Sequence, residues 1–163
     1  MRTLLRTLLY LALIVWLGAE IFFPIVAATV FPILRADTHA AGTIIRSLLR
    51  ILHGMGLVSG IVALALLALA PSWNIYKPRS VLAPMTLIVL MIVCTSFSQW
   101  SIIPAMDRDL VAAGGAIDTT DSANPITQDF NRLHNRSTFV EEVVMLFGIA
   151  TVVLIAKAET SRA

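Results

Sequence analysis

Four long apolar runs, near residues 8–31, 43–70, 82–103 and 125–156, decide what this chain can become. As helices, each is long enough to cross about 30 Å of hydrocarbon. Only 13% of the 163 residues are charged and 58% are hydrophobic, where soluble domains carry about 25% charged residues. Mean hydropathy is +0.85. These features predict an all-α, integral membrane four-helix bundle forming one domain, with an extramembrane loop near 105–124.

The polar residues inside the runs therefore need an explanation. Arg46, Arg50 and His53 recur at i, i+4 and i+7, within about 60° on one helix face. Arg46 can snorkel to the headgroups; His53, deeper, cannot easily do so. Glu20 lies near the middle of the first run, between Trp16 and Pro24. Pro24 frees the Glu20 carbonyl and can bend the helix. A bare carboxylate is costly at this depth, so Glu20 should face the interior, be protonated or pair with a cation. Trp16 and Gly18 are candidates for close packing, as is Gly56-x-x-x-Gly60 in the second run.

The second run should stop before Pro71 and the third at Pro104. Residues 107–113 can also extend the third helix beyond the membrane, and Asp118–Asn124 reads as flexible loop. Asn124-Pro125 suits an N-cap and first helical residue for the fourth, although the capping-box spacing of Thr138 and Glu141 allows a later start. The charge-free part of that helix, residues 143–156, spans only about 21 Å. Glu141 and Glu142 must then enter the bilayer boundary.

Four crossings put both termini on one side, with Arg2, Arg6, Lys77, Arg79, Lys157 and Arg162. The other side receives Arg35, Arg46, Arg108, Arg132 and Arg136 with all six aspartates. The Lys/Arg balance, which sets topology, leans towards cytoplasmic termini, as in a bacterial inner-membrane protein. Topology gathers Arg46, Arg50, His53, Gln99, His134, Arg136, Glu141 and Glu142 towards one surface, with Glu20 approaching from mid-membrane. The expected pairs are Arg50 with Glu20 or Glu141, and His53 with Glu20.

The pI near 9.1 does not indicate a nucleic-acid partner, since no region joins clustered Lys/Arg to soluble-domain character. Cys94 is the only cysteine, so no intrachain disulfide can form. The basic start, Arg2 to Arg6, resembles a signal peptide, but the apolar run after it exceeds the usual 7–15 residues. An uncleaved first helix is the better reading. No catalytic motif and no metal-ligand set stands out; His134 and Ser137, one turn apart, lack a nucleophile motif.

Trp16-Leu17-Gly18, Phe22-Phe23, Val26-Ala27 and Val30-Phe31 resemble the opening of a bacterial membrane family, domain of unknown function 4149, itself similar to the eukaryotic transmembrane protein 205. Ala41-Gly42, Arg50 and His53 match its second segment in character. Pro104-Ala105-Met106 and the run from Phe130 to Ser137 resemble later signatures. Ala28 stands where family members often carry proline. The resemblance implies a compact four-helix membrane protein and brings no established activity.

Three functions compete. A transport or efflux-associated protein would use Glu20, Arg50, His53 and Glu141 as a protonatable site, with oligomerisation supplementing four helices. A noncatalytic subunit or scaffold would use the same contacts to fix helix register beside a membrane partner. No cofactor is required by either; a haem protein would use His53 and His134 as ligands, without a Cys-x-x-Cys-His attachment motif.

Overall fold

The computed structural model describes residues 1–115, 117 and 120–160. The sequence readings at Asp118 and Arg162 lie outside the described residues. The elements are α1 (Arg2–Ile33), α2 (Thr38–Leu69), α3 (Pro78–Phe97), a π-helical turn (Ser98–Ile102), α4 (Ile103–Ala112) and α5 (Pro125–Thr160). α3, the π turn and α4 run on as one rod from Pro78 to Ala112, so the chain forms four helices long and apolar enough to cross a membrane.

Local chemistry sets the helix ends. Asp37 caps α2, its Oδ1 accepting the Ala40 N–H at 2.8 Å, which starts the helix at Thr38 rather than Thr43. Asn124 Oδ1 accepts the Ile126 N–H at 2.9 Å and Pro125 takes the first helical position. α5 does not restart at Thr138, whose hydroxyl donates to the His134 carbonyl at 3.1 Å.

Pro104 does not end the third helix. The Ile103 N–H bonds to the Ser98 carbonyl, five residues back, and Pro104 sits in the first turn of α4, where a missing N–H costs least. The widened turn absorbs the proline, and the helix continues to Ala112.

α1 packs along α2 and α3 along α5; the two pairs meet between α2 and α3, and more lightly between α1 and α5. The tight core lies in the half of the bundle nearer the termini, around Leu9, Leu13, Trp16, Leu67, Ile88, Met91, Val144 and Ile155. A polar clamp closes that end. Tyr76 donates to Glu159 Oε1 at 2.8 Å, with Arg6 Nε 3.7 Å from the same oxygen and its guanidinium carbon 5.9 Å from the centre of the Tyr76 ring. Burial, then the Glu159 carboxylate, pushes the Tyr76 phenol above its ordinary pKa. The outer surface is covered with exposed Ile14, Phe22, Ile25, Ile51, Val58, Ile61, Val93, Phe97, Phe139 and Val153. A belt of this size suits lipid as its solvent.

Candidate functional site

His53 is fully buried, and both its ring nitrogens are engaged. Nδ1 lies 2.9 Å from Gln99 Oε1 and Nε2 lies 2.9 Å from Glu141 Oε1. Nε2 faces a carboxylate and donates to it, and the Gln99 amide, which offers an oxygen or a nitrogen according to its orientation, completes the pair at Nδ1. Ser98 also donates to Glu141 Oε1, at 3.0 Å. Glu141 Oε2 is buried without a hydrogen-bond partner among the described residues. The π turn matters here, because an extra residue per turn brings both Ser98 and Gln99 onto the face that meets α2 and α5.

Glu20, only 4% exposed, accepts the indole N–H of Trp16 at 3.2 Å. Trp16 is pressed against α2 where two glycines make room. A Cβ on Gly56 would stand 2.5 Å from its Nε1, and one on Gly60 would stand 2.5 Å from its Cζ3 and 2.9 Å from Ile92 Cγ1. Gly18 differs from the packing role read from sequence. It lies on the exposed face of α1, and a Cβ there would meet nothing within 4 Å.

Arg50 pairs with neither glutamate. Its guanidinium bonds to Asp107 of α4, and Arg46 Nη1 lies 3.3 Å from the other oxygen of that carboxylate. The arginine stripe faces α4, one level above His53, and α4 is there because the helix passes through Pro104. His53 pairs with Glu141 instead of Glu20. Asp107 and Ser98 are thus the members that sequence reasoning did not select. Continuing the third helix past Pro104 would have put Asp107 at the level of the arginines.

Between these groups and the loop-side surface lies a chamber of about 590 Å³. Its walls are the second half of α1 and the first halves of α2 and α5, with α4 behind. Glu20 and Glu141 line it, as do Pro24, Glu142, His39, Arg46 and His134; most of the remainder is apolar. Glu142 and His134 are exposed along the α5 wall. Arg136 is exposed on a separate outer groove beside Phe97, Arg132 and Phe139, so it does not join the cluster.

α1 and α5 touch where Gly148 admits Leu17; a Cβ on Gly148 would be 3.0 Å from Leu17 Cδ1 and 3.3 Å from Met91 Cε. On the loop side of this point exposed Pro24 and Phe31 of α1 and exposed Thr138 and Glu142 of α5 line the chamber, two rims that face each other. Among the described residues no three His, Cys, Asp or Glu side chains are grouped to hold a metal ion. Comparison with protein-family models, curated proteins and solved structures gives no match.

Proposed function

We propose that this integral membrane protein is transport or efflux associated, and that the chamber is its substrate site. The observation that carries the reading is a pair of intramembrane carboxylates, Glu20 and Glu141, at the inner end of a chamber of drug-like size. Ionisable groups at this depth mark substrate or proton paths when they face a cavity. Exchange of a proton on Glu20 for a bound substrate is the simplest coupling such a site supports. The reading includes cytoplasmic termini in a bacterial inner membrane, assembly of copies, and kinship with the family of domain of unknown function 4149.

The test is growth and uptake in cells expressing the protein, against a panel of amphipathic compounds. Resistance or altered uptake should appear with the wild type and vanish with Glu20→Gln at equal membrane abundance. Unchanged transport by Glu20→Gln overturns the role of this carboxylate.

A noncatalytic scaffold is the second reading, favoured by one observation. His53 of α2, Ser98 and Gln99 of the π turn and Glu141 of α5 form a single hydrogen-bonded staple across three helices. A stable membrane partner in mild detergent, with no solute-dependent phenotype, would select it. Haem ligation is less well supported, because His53 would have to leave Gln99 or Glu141 to free a nitrogen lone pair. A reduced-minus-oxidised absorption spectrum with iron quantified decides that alternative.

A further inference from the structure

We propose that the chamber binds a lipophilic cation that arrives sideways from the bilayer, through the gap between α1 and α5. The inference rests on the transport reading and gives its substrate class.

The sign of the charge follows from which groups are already satisfied. Glu20 takes one hydrogen bond among the described residues, from Trp16 to Oε1; its second oxygen takes none, although the residue is 4% exposed and lines the chamber. Glu141 has a histidine on Oε1 and nothing on Oε2. Glu142 adds a third carboxylate at the rim. Against these, Arg46 is the arginine of the lining among the described residues, and it lies 3.3 Å from the Asp107 carboxylate that also takes Arg50; His53 is not in the lining. His39 and His134 sit towards the outer end. An anion would meet Glu20, whose second oxygen is unpartnered among the described residues, and the exposed Glu142; a cation would answer them.

The rest of the wall sets the ligand's body. Phe23, Phe31, Met106, Phe130 and Met145 offer aromatic faces and sulfur, which attract cations as well as apolar surface. A small hydrated ion would have to shed water against these walls for little return. An ion with its charge spread over apolar groups does not.

The route follows from the rims. Glu142 lies fifteen residues before Lys157, about 23 Å of helix. The gap is therefore at bilayer depth, and a lipid-dissolved molecule reaches it without crossing the polar loops.

The experiment measures binding of tetraphenylphosphonium and its anionic isostere tetraphenylborate to the purified full chain in lipid nanodiscs, with tetramethylammonium as a cation that remains in water. Saturable binding of tetraphenylphosphonium alone is expected, weakened at least tenfold by Glu20→Gln and several-fold by Glu142→Gln. Should Glu20→Gln fail to fold, the exposed Glu142 variant carries the comparison. Ala27→Trp, which fills the gap, should slow association. Equal binding of tetraphenylborate, or unchanged affinity in the glutamate variants, overturns the cation class. Unchanged association in Ala27→Trp overturns the lateral route. Glutamate-dependent binding without flux in proteoliposomes keeps the cation site and overturns transport, whereas flux of other solutes without tetraphenylphosphonium binding does the reverse.

Discussion

Trp16 and Gly56 share one space: the indole nitrogen that donates to Glu20 stands 2.5 Å from where a Cβ on Gly56 would be. Any side chain at Gly56 must move the donor that holds the carboxylate. Gly56→Ala should cost about 1–3 kcal/mol by overpacking and alter tryptophan fluorescence. Gly18→Ala, in open space, should leave thermal unfolding in detergent unchanged or slightly raised. Equal effects of the two would contradict the packing described.

The His53–Glu141 pair predicts non-additivity. His53→Ala leaves the part-buried Glu141 carboxylate with Ser98 as its donor, so the loss should fall below the about 3–5 kcal/mol of a fully buried pair. Glu141→Gln added to it should restore part of that loss. A double-mutant cycle on thermal or denaturant unfolding should give a coupling of about 0.5–3 kcal/mol. Strict additivity would mean the two side chains do not depend on each other.

Asp107→Asn should barely change stability, because Arg50 is half-exposed and such ion pairs contribute only about 0–1 kcal/mol. Its effect should appear in the chamber. Arg46, released from its partner, adds an unanswered positive charge to the lining and weakens tetraphenylphosphonium binding. Isothermal calorimetry on the variant checks this, and a gain in affinity would count against it.

Tyr76 gives a pH signature at the other end of the bundle. Its phenol is held above the ordinary value near 10 by burial and by Glu159. The folded state therefore keeps a proton that the unfolded chain releases. The contribution is fully present below the ordinary value and is lost as pH rises towards the raised one. Melting curves of the wild type should fall above about pH 10, and Tyr76→Phe should flatten that fall while costing about 1 kcal/mol at neutral pH.

Four membrane helices were legible because apolar length needs no tertiary knowledge. So was the level of each polar group, since depth accrues at a fixed rise per residue. Direction around the helix was not legible. Arg50 and His53 sit within about 60° of each other on α2, yet one meets Asp107 and the other Glu141, because different helices stand on either side. Pro104 was read as a stop, with an extension through residues 107–113 as the other reading. The π turn before it carries α4 on against α5, where Asp107 comes within reach of Arg46 and Arg50 of α2. Gly18 matched a packing pattern and lies on the outward face, a distinction that spacing alone does not make. The chamber has no sequence signature, being a space between stripes on separate helices.

The Leu17–Gly148 contact makes α1 and α5 a pair of shears with one rivet. The clamp of Arg6, Tyr76 and Glu159 grips the handles, and the blades part on the other side. Thr138 lies ten residues from Gly148, about 15 Å along the blade, so a swing of about 10° moves the rim by about 3 Å. A side chain at Gly148 would press on Leu17 and Met91 and so act on the rim from that distance.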